Sequence, residues 1–260
     1  MFKSLNAYQL KIIAIIGMVL SHMVYAWQEI LPLWLMIPMM ASGGLTYPIM
    51  GYFVVEGYKH TSNVKKYLLR LFVFGLIAIP FYPLVFGTFQ LNIMFSIMLS
   101  IIMFMLYDKV NKKFVFWILL FPLFLIASLF VDWWIFGLIM MILYHVIANE
   151  KVRRIVPALV GGGLFTGYIW FGMSTLQRFL STPGMEAQVE AFIAQYGNMD
   201  YFISCMFMIV GCGCATLLLK NYNGERGKSA KWLFYIAYPL HLAVIGGIAL
   251  ALGLTDFFWF

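Results

Sequence analysis

The sequence predicts an all-α integral membrane protein: a single domain over residues 1–260, built from about nine transmembrane helices. Of its 260 residues, 63% are apolar and 10% are charged, whereas soluble domains have about 45–50% apolar and about 25% charged residues. A helix needs about 20 residues to cross a hydrocarbon core of roughly 30 Å. The composition therefore excludes a soluble monomer, a disordered chain and a small disulfide-stabilised secreted module.

Hydrophobic segments along the chain predict the individual helices, with bounds good to a few residues. They lie at about 9–27, 31–57, 67–86, 91–107, 114–130, 133–148, 155–176, 200–219 and 231–253. Pro122 and Asp132 interrupt the shortest stretch, so the fourth to sixth helices are the least well defined. The long connection at 177–199 has apolar residues at helical spacing and predicts an amphipathic helix on the outer leaflet or a lid.

The charge distribution orients these helices. With the N-terminus in the cytoplasm, sixteen of the seventeen Lys and Arg residues fall on the inner side, and Arg178 is the exception. Glu29, Asp132 and Asp256 lie among the acids on the outer side. The positive-inside rule thus predicts a cytoplasmic N-terminus and an external C-terminus. The net charge of +7 therefore reflects the orientation of the chain in a membrane and does not indicate binding to nucleic acid.

Two other interpretations of the sequence, a cleaved signal peptide and a cysteine metal site, carry less weight. The first segment could be a cleaved signal peptide, but no small-residue cleavage site follows it, and Met23, Tyr25 and Trp27 end it as an interfacial anchor would. The three cysteines lie within one helix at spacings that fit no metal site, so we expect them to pack and expect no metal.

Polar residues inside apolar helices are the main functional signal, because leaving them in lipid costs several kcal/mol. Lys11 and His22 are eleven residues apart, which places them on one helix face about 16 Å apart. This spacing suits a channel that admits an anionic group from inside and delivers chemistry near the outer face. A snorkelling lysine and a structural histidine are the alternatives.

Several stretches carry a family resemblance. The Lys11-x10-His22 spacing resembles the Arg/Lys-x10-His signature on the first helix of the acyltransferase-three superfamily of membrane acyltransferases. Residues 5–14, with Asn6-Ala7-Tyr8-Gln9-Leu10-Lys11, are similar to the opening of the TraX family. The similarity continues in Val54-Val55-Glu56-Gly57, Lys59-His60-Thr61, Lys66-Tyr67-Leu68-Leu69-Arg70, Asn92-Ile93-Met94-Phe95, Asn223-Gly224-Glu225-Arg226-Gly227 and Tyr235-Ile236-Ala237-Tyr238-Pro239-Leu240-His241.

The resemblance implies acetylation, because the founding TraX member acetylates the N-terminus of a conjugative pilin subunit. It implies acetyl-CoA as the donor and the bacterial cytoplasmic membrane as the location. We expect His22 to be the general base. Asn92 would donate to the oxyanion or, equally well, pack between helices. The acyl donor would be bound by Lys11, Lys65, Lys66, Arg70, Tyr238 and His241, with arginine suited to phosphate by its planar fork.

This chain departs from the family at two positions. It has Ser21-His22 where the family usually has Asp-His, and Gly44-Leu45 where the family has Gly-Arg. A carboxylate that orients the base is therefore missing from its usual place, and Asp132 or Glu56 could replace it from another helix. For Glu56, an ion pair at the inner rim is the alternative.

Two other function classes stay open, as does the acceptor. A transporter would favour an internal repeat and charge pairs at the midplane, and the sequence shows neither. A non-catalytic membrane assembly factor would tolerate loss of His22. The acceptor of an acetyl group could be a pilin-like peptide, a surface glycan or a small molecule.

Overall fold

The computed structural model describes residues 4–229 and 231–255, without the side chains of 194–196. Within this range the chain is helical, with two isolated β-bridges and no strand. Lys3, Asp256 and Phe260 lie outside the described residues. The helices are α1 Ala7–Trp27, α2 Leu33–Gly43, α3 Thr46–His60, α4 Val64–Ala78, α5 Tyr82–Phe86, α6 Ile93–Lys109, α7 Lys113–Val115, α8 Phe121–Ser128, α9 Trp134–Val146, α10 Glu150–Arg153, α11 Val156–Ser181, α12 Glu186–Tyr196, α13 Met199–Met206, α14 Met208–Lys220 and α15 Lys231–Ala251.

Each of the nine apolar segments predicted from the sequence is helical in the described part of the chain. Six helical stretches are long and apolar enough to cross a membrane: Ala7–Trp27, Leu33–His60, Val64–Phe86, Glu150–Ser181, Met199–Lys220 and Lys231–Ala251. The other three segments form helices of 17 residues or fewer. An integral membrane protein is therefore supported, while the count of nine crossings and the orientation of the termini stay predictions.

The second predicted segment is not one continuous helix, because α2 and α3 are separated at Gly44 and Leu45. Close contact with α14 accompanies this break. A Cβ on Gly44 would lie 2.0 Å from the Met208 carbonyl oxygen, and a Cβ on Gly211 would lie 1.8 Å from that of Ala41. Glycine is needed on both sides because only a backbone without Cβ atoms can pack this closely.

The fifth predicted segment also departs from a regular helix. A π-turn at Phe116–Leu120 precedes α8. Pro122 lies two residues after it and has no backbone N–H to donate to a carbonyl one turn earlier, so the helix widens by one residue there. The interruption expected at Pro122 thus takes the form of a π-turn within a helix that continues to Ser128.

The helices run alternately between two ends of the bundle. One end, here the basic end, holds the start of α1, where the Asn6 side chain caps the helix and exchanges hydrogen bonds with Gln9. Backbone hydrogen bonds from Leu5 to Asn221 and from Ala7 to Glu225 tie it to the loop after α14. At the other end, here the far end, Leu91 pairs with Val131 in the connections before α6 and after α8.

A helix within the long 177–199 connection covers part of the far end. The connection contains α12, whose Val189 and Phe192 pack against a cluster that includes Met36, Leu176 and Phe202. Helix α11 continues to Ser181, so the connection is shorter than the sequence suggested.

The cysteines in α13 and α14 differ in exposure. Cys205 and Cys212 are buried, while Cys214 is exposed. The packing role expected for all three therefore applies to two of them.

Candidate active site

Two histidines meet inside the bundle. His22, near the end of α1, is partly buried, and its Nδ1 lies 2.7 Å from Nε2 of His241 on α15. The Nδ1 atom of His241 lies 2.8 Å from the carbonyl oxygen of Ala237, one turn earlier. Pro239 leaves the carbonyl of Tyr235 without its usual partner, so His241 does not bind the carbonyl that the proline frees. The sequence singled out both histidines but did not predict that they pair.

Aromatic rings surround this pair. Phe86 and Tyr25 lie against His22, with ring centroids 5.0 Å and 6.2 Å away. Tyr238 packs on His241 at 5.3 Å and is itself 2% exposed. Tyr238 lines neither of the two large cavities of the bundle, so its contact with an acyl donor stays a prediction. Sequence reasoning missed Phe86, since a phenylalanine in an apolar helix carries no local functional signal.

A cavity of about 600 Å³, here the basic cavity, opens at the basic end between the starts of α1, α4 and α15 and the end of α3. Its lining combines five cations with one carboxylate. These are Lys11, Arg70, Arg226, Lys228 and Lys231, and Glu56. The sequence placed all five cations on the inner side, but it selected only Lys11 and Arg70 as ligand contacts.

Lys11 and Arg70 are held by aromatic rings in the basic cavity. The Nζ atom of Lys11 lies 5.0 Å from the ring centre of Phe53 and 5.1 Å from that of Phe234. Arg70 donates a hydrogen bond of 3.3 Å to the hydroxyl of Tyr235. These contacts fix the charges without neutralising them, so both remain available to an anionic ligand.

Lys65 and Lys66 lie elsewhere. Both are exposed on the first turn of α4 and do not line the basic cavity. Around α4, Lys65 lies on a different face from Arg70, whereas Lys66 lies one turn before Arg70 on the same side. The basic cavity therefore gives no support to Lys65 and Lys66 as contacts of the acyl donor, and their role stays a prediction.

Glu56 takes part in an ion-pair network at the basic end. Its carboxylate lies 2.9 Å from Nη2 of Arg153 and 3.7 Å from Nε2 of His60. Arg153 also pairs with Glu150, which accepts a hydrogen bond from the Tyr52 hydroxyl. This arrangement is the inner-rim ion pair weighed for Glu56, and it leaves the carboxylate paired with Arg153 at the basic end, not with His22.

Asn92 is buried and caps helix α6. Its side-chain oxygen accepts a hydrogen bond from the Met94 N–H, and its side-chain nitrogen donates one of 2.8 Å to the Gly75 carbonyl. Asn92 is 0% exposed and lines neither cavity described here. The position favours the helix-packing alternative for Asn92 over a role as an oxyanion donor.

A second cavity, here the aromatic cavity, lies at the far end and measures about 510 Å³. Asp132 and Glu29 line it, and its lining as described contains no Lys, Arg or His. Ten aromatic residues line it as well. They are Tyr25, Tyr82, Phe86, Trp133, Trp134, Phe136, Phe165, Tyr168, Tyr201 and Phe202.

Asp132 does not replace the family's missing aspartate next to His22. Its carboxylate accepts a hydrogen bond of 2.8 Å from the Trp133 N–H. Burial raises the pKa of this carboxyl to about 6. The hydrogen-bond partner of His22 is His241, so neither carboxylate suggested by the sequence is its partner.

The two histidines thus lie between the two cavities. Phe86 and Tyr25, which contact His22, line the aromatic cavity, while Lys11, eleven residues earlier on α1, lines the basic cavity. His22 lines neither of these cavities. The basic cavity as described does not include His22, so the path expected from the inner rim to His22 stays a prediction.

Comparisons with known proteins identify the family of the chain. A sequence model of the family described as TraX protein matches residues 6–249. The chain is 28% identical over 255 residues to the probable fimbrial assembly protein FimC, serogroup H1, of Dichelobacter nodosus, covering 92% of this chain and 94% of that protein. No solved structure matches the chain significantly. Since the match covers nearly the whole chain, the protein belongs to the TraX family.

Proposed function

We propose that this protein is an acetyltransferase of the bacterial cytoplasmic membrane, which moves an acetyl group from cytoplasmic acetyl-CoA to an acceptor amine. The observation that carries the proposal is the pair of His22 and His241 between a basic and an aromatic cavity. A histidine inside an apolar bundle is costly unless it has a task, and proton transfer is the usual task of an imidazole.

The basic cavity supports acetyl-CoA as the donor. Coenzyme A carries several phosphate groups, and five cations line a cavity of about 600 Å³, a size typical of small-molecule sites. Arg70 presents a planar guanidinium that can donate two parallel hydrogen bonds to one phosphate. Tyr8 and Tyr235 offer aromatic faces in the same cavity. The thioester arm would extend along the α1 face that Lys11 and His22 share.

His22 would act as the general base. The acceptor nitrogen attacks the acetyl carbonyl carbon, a new N–C bond forms, and the C–S bond to coenzyme A breaks. His22 takes the proton that leaves the nitrogen and returns a proton to the departing thiolate, so coenzyme A leaves as a thiol. Proton transfer of this kind accounts for roughly 10²–10⁴-fold in rate.

The aromatic cavity favours an amine over a hydroxyl acceptor. Aromatic faces attract cations, and carboxylates pair with them. Asp132 and Glu29 together with ten aromatic residues form a lining that suits an ammonium group. The related protein is named a fimbrial assembly protein, which supports a pilin-like subunit as the acceptor in preference to a surface glycan or an unrelated small molecule.

A non-catalytic assembly factor is the second candidate function. The printed name of the relative refers to assembly and not to a reaction, and this chain lacks the aspartate that usually precedes the histidine. An assembly factor would need neither cavity to bind acetyl-CoA. Binding of acetyl-CoA to the purified protein therefore separates the two candidates.

The test compares wild type with His22→Asn in purified protein, using acetyl-CoA labelled in its acetyl group. Asparagine keeps a hydrogen bond at similar size but cannot accept a proton near neutral pH. We expect turnover to fall by roughly 10²–10⁴-fold with coenzyme A binding unchanged. Mass spectrometry of cells with and without the protein identifies the acetylated acceptor.

His145→Asn is the matched control for this test. His145 lies at the basic end, where its Nε2 is 2.8 Å from Asp108, and we place it outside the site. Its replacement should leave turnover within about twofold of wild type. Normal turnover in a stable His22→Asn variant would refute His22 as the base, and absence of coenzyme A binding in wild type would favour the assembly factor.

A further inference from the structure

We propose that His241 is a positioning residue that holds His22 in the tautomer with the proton on Nδ1, so that Nε2 of His22 is the atom that accepts the proton from the acceptor. This inference rests on the proposed function for its catalytic part. It rests on two hydrogen bonds, from Nδ1 of His241 to the Ala237 carbonyl and from Nδ1 of His22 to Nε2 of His241, and it gives this chain a replacement for the aspartate that it lacks.

The first step is the protonation of His241. Its Nδ1 lies 2.8 Å from the carbonyl oxygen of Ala237, and a carbonyl oxygen can only accept a hydrogen bond. The proton must therefore be on Nδ1 of His241. His241 is 7% exposed, and a charged ring at such a site carries a large desolvation cost. In the neutral ring, Nε2 of His241 has no proton and can only accept.

The second step transfers this constraint to His22. Nδ1 of His22 lies 2.7 Å from Nε2 of His241. Since that Nε2 atom is an acceptor, Nδ1 of His22 must be the donor and carry the proton. In a neutral imidazole the other nitrogen is then free of a proton, so Nε2 of His22 is the basic atom. The carbonyl of Ala237 thus sets the protonation of both rings through one chain of hydrogen bonds.

The residues that could compete for this task have other partners. The hydroxyl of Ser21, at the position of the family's aspartate, donates to the Met18 carbonyl at 3.1 Å. Asp132 accepts from the Trp133 N–H, and Glu56 pairs with Arg153. Within the described residues, the hydrogen-bond partner of His22 is therefore His241.

The arrangement is also compatible with the reaction. When Nε2 of His22 takes up a proton, its Nδ1–H still donates to Nε2 of His241, and no atom has to move. The ring returns that proton from the same Nε2 atom. A neutral histidine orients the base as an aspartate would, but it adds no negative charge beside the imidazolium that forms.

The first experiment is nitrogen NMR on purified protein with ¹⁵N-labelled histidine. The chain has four histidines, and single replacements assign the signals of each ring. We expect His22 to carry its proton on Nδ1 in wild type. We expect this tautomer to be retained in His241→Gln, whose side-chain oxygen accepts from Nδ1–H, and to be lost in His241→Phe, which has no acceptor.

The second experiment measures turnover of the same variants. His241→Phe should lower kcat by about 10–100-fold, by analogy with the loss found when a partner that orients a metal-binding histidine is removed. The KM for acetyl-CoA should stay within about twofold, because the basic cavity is unchanged. His241→Gln should recover most of kcat, and His145→Gln serves as the control with wild-type turnover.

The outcomes are separable from those of the proposed function. A proton on Nε2 of His22 in wild type overturns the inference without any variant. Turnover in His241→Phe equal to wild type, with His22→Asn inactive, overturns the positioning role. If wild type transfers no acetyl group while His22 carries its proton on Nδ1, the proposed function fails and the assignment of the tautomer stands.

Discussion

Replacing Lys11 by methionine tests the basic cavity as the site for coenzyme A. The Nζ atom of Lys11 lies between the rings of Phe53 and Phe234, at 5.0 Å and 5.1 Å from their centres. Methionine has a similar length and packs well against aromatic rings, so it fills the space and removes the charge. The variant should therefore lose phosphate binding more than it loses stability.

The size of the effect follows from the contact that is removed. A hydrogen bond between a charged donor and a phosphate contributes roughly 1.5–3 kcal/mol, and 1.4 kcal/mol corresponds to about tenfold in affinity. We therefore expect the Kd for coenzyme A to rise about 10–100-fold in Lys11→Met. The loss of two cation–π contacts reduces stability by an additional amount of about 1 kcal/mol.

Isothermal titration of coenzyme A into protein in lipid nanodiscs measures the change, with Lys65→Met as the matched control. Lys65 is exposed on the same end of the bundle and does not line the basic cavity. Its Kd should change by less than about threefold, because exposed charges interact weakly and are screened by salt. Equal effects of the two replacements would show that the cations act through the overall field and would refute the cavity as the phosphate site.

Three further predictions concern packing, pH and topology. A Cβ on Gly211 would lie 1.8 Å from the Ala41 carbonyl oxygen, whereas a Cβ on Gly213 would have no neighbouring atom within 4 Å. Gly211→Ala should therefore lower the melting temperature of the protein sharply or prevent its accumulation, and Gly213→Ala should leave stability unchanged or raise it slightly. Burial raises the pKa of Asp132 to about 6, so the folded protein keeps a proton there that the unfolded chain releases near pH 4. The stability of wild type relative to Asp132→Asn should fall as pH rises from about 4 to about 7 in thermal melts, and a constant difference would contradict this. A reporter fused after residue 260 should read outside and one inserted in the 109–113 loop inside, while a cytoplasmic C-terminus would reverse the proposed depth of His22.

Local patterns predicted the helices well because helix formation in a membrane depends on local hydropathy. Every apolar segment proposed from the sequence is helical in the described residues. The break between α2 and α3 was not predicted. It accompanies the close approach of Gly44 to α14, and the residues of the segment itself do not indicate contact with a helix some 160 residues later in the chain. The π-turn before Pro122 is an intermediate case. The sequence predicted that the proline would interrupt the helix, but it did not predict that the interruption would be a π-turn.

The candidate site was predicted unevenly. Lys11, His22, Arg70 and His241 were selected from the sequence, and the structure places the two cations in one cavity and the two histidines in contact. Asn92 and Lys65 were selected as well, but their side chains cap a helix and face solvent respectively. A motif residue can serve the fold or the chemistry, and its chemical type does not distinguish these roles.

The sequence by itself determined the class of protein, the apolar segments and the shared face of Lys11 and His22, because composition and helical periodicity are properties of neighbouring residues. Only the tertiary structure decided which partner orients His22 and which cations enclose a cavity. His22 and His241 come from the first and last helices, and whether they meet depends on how α1 and α15 pack. A hydrogen bond requires atoms within about 3 Å and in the right direction, and that geometry is set by the assembled bundle.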